Sequence, residues 1–279
     1  MKYLISSLLL CFIVMIARAG HVDTLAIPSA SMHKNVKCVV VRPNLPAAQL
    51  KNARVIYLLN GYSGNHTDFV KHMGPYLMHL ADVHHWLIVC PDGNNSWYWD
   101  SPIDPAFKYE TYVSKELPAY IDSHYNTMAS PAGRAISGLS MGGHGALFTA
   151  IRHSDVFGAV GSMSGGVDIR PFPGNWDIAQ RLGRLDTSAH NWDAYTVMNA
   201  VDNLKPGQLA IIFDCGVKDF FHDVNAALHA KLLRLGIDHD YTERPGEHNW
   251  DYWNNSLQFQ MLFFEHFFDR TAAPVKKAA

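Results

Sequence analysis

The chain has 279 residues, a formal net charge of −2 and hydrophobic residues at 48% of its positions. Its 23 basic and 25 acidic side chains nearly balance, which excludes a strongly basic protein and gives no electrostatic reason to expect nucleic acid or an anionic membrane as a partner. The length suits a single α/β domain, and the sequence contains no internal repeat, low-complexity tract or interdomain linker.

Residues 1–19 have the pattern of a secretory signal peptide. Lys2 supplies a positive start, residues 4–16 are apolar, and Ala17-Arg18-Ala19 is a small-residue cleavage site. The apolar stretch is short for a membrane span, although an uncleaved N-terminal anchor is the alternative. Cleavage would leave residues 20–279 as a domain of 260 residues with a net charge of −4. We therefore predict a secreted or periplasmic protein without stable membrane association.

Apolar runs alternate with helix-like patterns along the rest of the chain. The runs that predict strands lie at 36–41, 55–59, 86–90, 135–137, 159–164, 209–213 and 239–244. The patterns that predict helices lie near 67–81, 107–125, 143–153, 222–235 and 255–268. This alternation predicts an α/β fold with a mostly parallel sheet and helices on both faces. Cys38 and Cys90 fall in predicted strands and, with Cys215, leave an odd number of thiols after cleavage, so at least one is free.

Residues 138–143, with the sequence Gly-Leu-Ser-Met-Gly-Gly, lie where a predicted strand ends and a helix begins. A serine flanked by glycines at two-residue distance fits a nucleophile elbow in that context. We expect a Cβ at either flanking position to clash, because the turn is tight. The turn would hold the Ser140 hydroxyl clear of the sheet and above a helix N-terminus. An ordinary glycine turn is the alternative.

A serine hydroxyl needs a general base and a group that orients that base before it can act as a nucleophile. Asp219 and His248 follow two successive predicted strands, at the edge where open α/β sheets build their sites. Asp214 also follows the first of these strands, but we favour Asp219 because Asp214 is too close to the strand end to reach across. His222 competes with His248, although it begins a predicted helix where a solvated or capping role is common.

The remaining requirement is a pair of backbone N–H groups directed at the developing oxyanion. Met141, the residue after the serine, would supply one. Tyr62 would supply the other from the loop 60–64, whose glycines permit unusual backbone angles. Taken alone, that loop is better explained as a simple turn at the end of a strand.

Together these residues resemble the putative-esterase family of α/β-hydrolases. The family includes tributyrin-type esterases, S-formylglutathione hydrolase, feruloyl esterases, enterochelin esterases and mycolyltransferases. The similarity runs from about residue 36 to residue 268 and is carried by residues 58–61, 91–98, 138–143, 215–220 and 245–250. It implies an α/β-hydrolase fold, a triad of Ser140, Asp219 and His248, and oxyanion donors at Tyr62 and Met141. Many relatives have a histidine where this chain has Asn60, which puts the local hydrogen bonding in doubt.

The segment 165–206 interrupts the alternation of strands and helices. It contains Pro171, Pro173 and Gly174 and follows a predicted strand at a place where such hydrolases often carry a cap. We predict a small cap or lid over the site. A surface excursion that does not contact the substrate is the alternative.

Trp97, Tyr98 and Trp99 follow a predicted strand in a polar, turn-rich loop, so we expect them to be exposed near the site. Exposed aromatic faces can stack on sugar rings or phenolic acyl groups. We name Trp97, Trp99, Trp176 and Trp250 as substrate-binding candidates, with a structural role as the alternative for Trp97.

The resemblance and the leader segment together predict a secreted serine carboxylesterase. Its expected substrates are esters with short acyl groups, or acetyl or feruloyl groups on carbohydrate. The alternatives are an acyltransferase to a sugar acceptor, a thioesterase like S-formylglutathione hydrolase, and a carbohydrate-binding protein on a hydrolase scaffold. No residue spacing predicts a metal site, since His84 and His85 are adjacent and His21 and Asp23 lack a further ligand. We predict that no cofactor is needed.

Overall fold

A computed structural model describes residues 20–46 and 49–272. The predicted signal peptide, residues 1–19, lies outside this range. The strands are β1 (His21–Ser29), β2 (Lys34–Arg42), β3 (Val55–Leu59), β4 (Leu87–Pro91), β5 (Arg134–Gly138), β6 (Ala159–Met163), β7 (Ala210–Gly216) and β8 (Asp240–Arg244). The helices are α1 (Asp68–His84), α2 (Tyr109–Thr111), α3 (Leu117–His124), α4 (Met141–Arg152), α5 (Ile178–Leu182), α6 (Leu185–Ala194), α7 (Val197–Ala200), α8 (His222–Leu235) and α9 (Trp250–Ala272). A π-helical turn, Tyr112–Glu116, joins α2 to α3.

The described strands form one sheet in the order β1-β2-β4-β3-β5-β6-β7-β8. β2 pairs antiparallel with β1 and with β4, whereas all other neighbours are parallel. The central strands β3, β4, β5 and β6 are buried along their whole length, as expected for parallel strands covered on both faces. The predicted α/β-hydrolase fold is therefore confirmed.

Helices cover the two faces of the sheet and create two apolar cores. One core combines α1 and α9 with the sheet, through side chains such as Leu77 and Phe264. The other packs α3, α4, α8 and part of the segment 165–206 against the opposite face. Cys38, Cys90 and Cys215 are all buried and unpaired, whereas the odd number of thiols predicted only that at least one is free. None of the helices in the described part of the chain has the length and apolar character of a membrane span.

The elements that differ from the sequence prediction include β1, β7 and α9. β1 was not predicted, because it is an edge strand with mostly exposed or half-exposed residues and carries Pro28. β7 continues to Gly216 and therefore includes Asp214, whose side chain forms hydrogen bonds inside the protein. α9 begins at Trp250 instead of near residue 255, because the residues after His248 continue directly into the helix.

Candidate active site

Ser140 occupies a strained turn between β5 and α4. Its backbone has φ 56° and ψ −118°, a conformation that residues other than glycine seldom adopt, and its N–H donates to the Met163 carbonyl at 2.9 Å. A Cβ placed on Gly138 would lie 2.4 Å from the carbonyl oxygen of Gly142. A Cβ on Gly142 would lie 2.0 Å from the carbonyl oxygen of Leu59. Both flanking positions therefore require glycine, as the sequence pattern predicts.

His248 lies between Ser140 and Asp219. Its Nε2 is 2.8 Å from Ser140 Oγ, and its Nδ1 is 2.8 Å from Asp219 Oδ2. Because the carboxylate can only accept, the Nδ1 hydrogen is donated to Asp219 and Nε2 is left to accept the Ser140 hydroxyl proton. The Asp219 side chain is fully buried, and its second oxygen accepts the Phe221 N–H at 2.8 Å. This arrangement can remove a proton from the serine and return it to a leaving group.

The loops after β7 and β8 pack closely enough to bring Asp219 and His248 together. The Lys218 N–H donates to the Gly246 carbonyl at 3.0 Å. A Cβ on Gly216 would lie 2.6 Å from that same carbonyl oxygen. The glycine at position 216 therefore allows the two loops to meet at backbone distance.

The competing residues lie in different surroundings. Asp214 is inside β7, and its carboxylate accepts hydrogen bonds from Tyr252 at 2.9 Å and from Ser256 at 2.6 Å. Burial raises the pKa of Asp214, and these hydrogen bonds oppose that effect. His222 lies at the start of α8, with its two ring nitrogens 3.1 Å from carboxylates of Asp223 and Glu243. The geometry thus joins Asp219 and His248 to Ser140, and neither alternative takes part.

The two expected oxyanion donors lie beside the serine. Met141 is the first residue of α4, so its N–H has no acceptor within the helix. Gly61, next to Tyr62, approaches so closely that a Cβ on it would lie 3.4 Å from Ser140 Cβ. Within residues 20–46 and 49–272, neither the Tyr62 nor the Met141 N–H donates to a protein acceptor. Both groups are therefore available to a ligand oxygen.

The side chain of Asn60 forms hydrogen bonds through both its oxygen and its nitrogen. Its Oδ1 accepts the Gly93 N–H at 2.9 Å and the Tyr98 hydroxyl at 3.0 Å, and its Nδ2 donates to the Gly61 carbonyl at 2.9 Å. The amide therefore ties the loop 60–64 to the loop after β4. Sequence reasoning did not identify the contribution of Tyr98, since this contact joins residues 38 positions apart.

A cleft of about 580 Å³ opens above Ser140, and aromatic side chains form part of its lining. Trp176 and Trp250, two of the predicted substrate-binding residues, line it. Phe220 also lines it and was not predicted; its ring is 50% exposed and lies 5.4 Å from Trp176 and 4.2 Å from the His248 ring. Its position directly after Asp219 in the sequence could have indicated that it lies near the site.

Trp97 and Trp99 do not line the cleft, contrary to the expectation of exposure. They are 1% and 0% exposed and belong to the core, with ring centroids 5.5 Å apart. The Trp97 indole N–H donates to the Trp176 carbonyl at 3.0 Å, and the Trp99 indole N–H donates to His144 Nε2 at 2.8 Å. Because the protein satisfies both polar groups, a turn-rich loop can bury them.

His144 lies behind the serine turn as part of the same buried group. It accepts the Trp99 hydrogen at Nε2, so its own proton lies on Nδ1, which is 2.8 Å from the Gly166 carbonyl. Burial lowers the pKa of His144 to about 4. This neutral histidine links the first turn of α4 to the start of the segment 165–206.

The segment 165–206 leaves the sheet between β6 and β7 and contains α5, α6 and α7. It contributes Trp176 to the cleft, and its Asp177 accepts the Tyr62 hydroxyl at 2.8 Å. Across the described ranges, no group of three or more His, Cys, Asp or Glu side chains is placed to hold a metal ion.

A serine, a carboxylate and a histidine, which follow one another in this order along the chain at the carboxyl edge of a mostly parallel sheet, define a serine hydrolase of the α/β-hydrolase fold. The sequence model of the family described as "Putative esterase" matches residues 29–264. The chain belongs to that family, as the sequence motifs predicted, and is a carboxylic ester hydrolase.

Known relatives differ in the ester they are named for. An acetyl esterase from Caldicellulosiruptor saccharolyticus is 27% identical over 219 residues, which cover 74% of this chain and 81% of the relative. An S-formylglutathione hydrolase from Bos taurus is 26% identical over 248 residues, which cover 76% of this chain and 85% of the relative. A solved ferulic acid esterase superposes with a TM-score of 0.73 at 28% identity, covering 90% of this chain and 99% of its own.

Proposed function

We propose that this protein hydrolyses carboxylic esters through an acyl-enzyme formed on Ser140. The position of His248, 2.8 Å from both Ser140 Oγ and Asp219 Oδ2, carries this assignment. An isolated serine hydroxyl is a weak nucleophile, and this contact supplies both the base and the group that orients it.

The reaction proceeds in two similar halves. Ser140 Oγ attacks the ester carbonyl carbon while His248 Nε2 takes its proton, and Asp219 stabilises the charged imidazole. The Tyr62 and Met141 N–H groups stabilise the oxyanion of the tetrahedral intermediate. His248 then donates its proton to the leaving alcohol. A water molecule, deprotonated by His248, attacks the acyl-enzyme and releases the carboxylic acid with Ser140 restored.

The substrates we infer are acetyl or feruloyl esters of carbohydrate. Two observations support this inference: similarity to an acetyl esterase and to a ferulic acid esterase, and a cleft wall of Trp176, Phe220 and Trp250. Flat aromatic side chains suit sugar rings and phenolic acyl groups alike. Rates with p-nitrophenyl acetate, p-nitrophenyl butyrate, methyl ferulate and acetylated xylan should therefore be compared. A clear preference for the butyrate would contradict the substrate inference and leave ester hydrolysis intact.

We also propose that residues 1–19 direct the protein out of the cytoplasm. A secreted location favours extracellular esters over S-formylglutathione, whose thiol pool is cytosolic. N-terminal sequencing of protein recovered from the medium or periplasm should begin at Gly20. Recovery of the uncut chain in the cytoplasmic fraction would contradict the proposal.

Replacement of the nucleophile tests the central assignment. Ser140→Ala should lower kcat for p-nitrophenyl acetate by about 10⁶-fold, the scale on which a serine protease responds to the same loss. Ser123→Ala, which removes an exposed hydroxyl on α3, is the matched control and should leave kcat unchanged. Comparable hydrolysis by both variants would exclude Ser140 as the nucleophile.

A further inference from the structure

Asp214 is the centre of a buried hydrogen-bond network between β7 and α9. Asp214 is 1% exposed. Its carboxylate accepts hydrogen bonds from Tyr252 at 2.9 Å, from Ser256 at 2.6 Å and from Gln260 at 3.1 Å. These three donors are spaced four residues apart and therefore share one face of α9. One carboxylate thus fixes the first three turns of the helix that follows His248.

The network also reaches the three strands that precede the proposed triad residues. Asp214 itself lies in β7, five residues before Asp219. Arg244, the last residue of β8 and four residues before His248, places its Nη1 3.6 Å from the Asp214 carboxylate.

The third connection runs through Gln260. Its Oε1 accepts the Ser137 hydroxyl at 2.5 Å, and Ser137 lies in β5, three residues before Ser140. The same amide donates to Asp214 from Nε2. A continuous chain of polar contacts therefore joins β5, β7 and β8 to α9.

Two glycines show how closely α9 is seated. A Cβ on Gly161 in β6 would lie 2.2 Å from Gln260 Oε1. A Cβ on Gly246, two residues before His248, would lie 2.4 Å from the Tyr252 ring. The side chains of the network therefore pack directly on the backbone of β6 and of the loop that carries His248.

We propose that Asp214 is a positioning residue, which sets the His248 loop relative to Ser140 and Asp219 through Tyr252, Gln260 and Arg244. This role rests on the proposed esterase mechanism. The network touches the element before each member of the triad, whereas a helix anchor alone would need only β7 and α9. A displacement of about 1 Å in a reacting group can cost 10²-fold in rate.

The first test removes the carboxylate. Asp214→Ala should lower kcat for p-nitrophenyl acetate by about one to two orders of magnitude, with KM unchanged within about twofold. Asp214→Asn keeps an oxygen that accepts from Tyr252 and should restore most of the lost kcat.

Tyr252→Phe provides the test if Asp214→Ala does not fold. It removes one hydroxyl from the network and keeps the ring that packs on Gly246, so kcat should fall about threefold to tenfold and the thermal midpoint by only a few degrees. Tyr112→Phe is the matched control, because the buried Tyr112 hydroxyl has no hydrogen-bond partner among the described residues. Its kcat should equal that of the parent.

Unchanged kcat in folded Tyr252→Phe and Asp214→Ala would overturn the positioning role, even if both variants were less stable. Ser140→Ala keeps the two proposals apart. Loss of activity in Ser140→Ala with normal kcat in the network variants would refute only the role of Asp214. Normal activity in Ser140→Ala would refute the esterase mechanism itself.

Discussion

The two sides of Ser140 are both rich in aromatic residues, but their surroundings are opposite. Behind the serine lies the inner aromatic group, Trp97, Tyr98, Trp99 and His144, with every member at most 1% exposed. In front of it lies the cleft aromatic group, Trp176, Phe220 and Trp250, which lines the open pocket. Composition does not distinguish the two groups.

Hydrogen bonding separates them. In the inner group, the Trp97 and Trp99 indoles and the Tyr98 hydroxyl all donate to protein acceptors, so burial leaves no polar hydrogen unsatisfied. In the cleft group, Phe220 keeps half of its surface open to solvent although it has no polar atom to satisfy. Substitutions in the inner aromatic group should therefore lower the stability of the fold. Substitutions in the cleft aromatic group should instead alter substrate binding and turnover.

Among the changes that test this comparison, the largest expected effect concerns the two carboxylates. Asp219→Asn should lower kcat about 10⁴-fold, because an amide cannot hold the His248 tautomer that accepts the serine proton. Asp214→Asn, the control in the buried network with α9, should retain kcat within about tenfold. Steady-state kinetics with p-nitrophenyl acetate measures both. Equal losses of kcat in the two variants would contradict the assignment of Asp219, and not Asp214, as the carboxylate that acts on His248.

Loss of a buried indole should mainly destabilise the fold. Trp97→Ala should lower the free energy of unfolding by about 3–5 kcal/mol, since it leaves a cavity in the core. Trp176→Ala should lower it by less than half as much, because that ring is only partly buried and its backbone carbonyl still accepts from Trp97. Urea denaturation compares the variants. A larger loss for Trp176→Ala would reverse the comparison.

The buried histidine predicts a specific pH dependence of stability. Because the pKa of His144 falls to about 4 in the folded state, the unfolded chain binds more protons between that value and the usual 6.5, so stability is lost as pH falls through this range. From pH 7 to pH 5 the loss should be about 2 kcal/mol. Glutamine cannot titrate, so over the same pH interval the free energy of unfolding of His144→Gln should fall by about 2 kcal/mol less than that of the parent. Urea titrations at the two pH values measure this difference. Parallel pH profiles would contradict the assignment.

The smallest expected effect concerns the cleft wall. Trp176→Ala should raise KM for methyl ferulate about threefold to tenfold, as expected for the loss of one aromatic contact worth about 0.5–1.5 kcal/mol. KM for p-nitrophenyl acetate should change less than twofold, because its acyl group is too small to need the wall. An equal change for the two esters would argue against Trp176 as a contact for the acyl group.

Most of the strands along the chain and the turn that carries Ser140 could be predicted from sequence. Apolar runs located seven of the eight described strands, and only the exposed edge strand β1 escaped, because it lacks a buried run. The glycines around Ser140 indicated the turn through their spacing in sequence, although only the clash avoided at Gly138 is local, with Gly142, while Gly142 itself makes room for Leu59 of β3. The placement of Asp219 and His248 after successive strands was also visible, because parallel strands end at one edge.

By itself, then, the sequence determined most of the strands and the turn at Ser140, and it located two candidate carboxylates and a candidate histidine at the ends of later strands, since these features depend on local pattern and periodicity. Only the tertiary structure decided which of two nearby carboxylates meets His248, and which tryptophans face the cleft. Asp214 turns inward because Tyr252, Ser256 and Gln260 arrive from a distant helix. Trp99 is buried because His144 accepts its hydrogen from 45 residues away. Burial of a polar group depends on its partner, and that partner is brought close only by the packing of the whole chain.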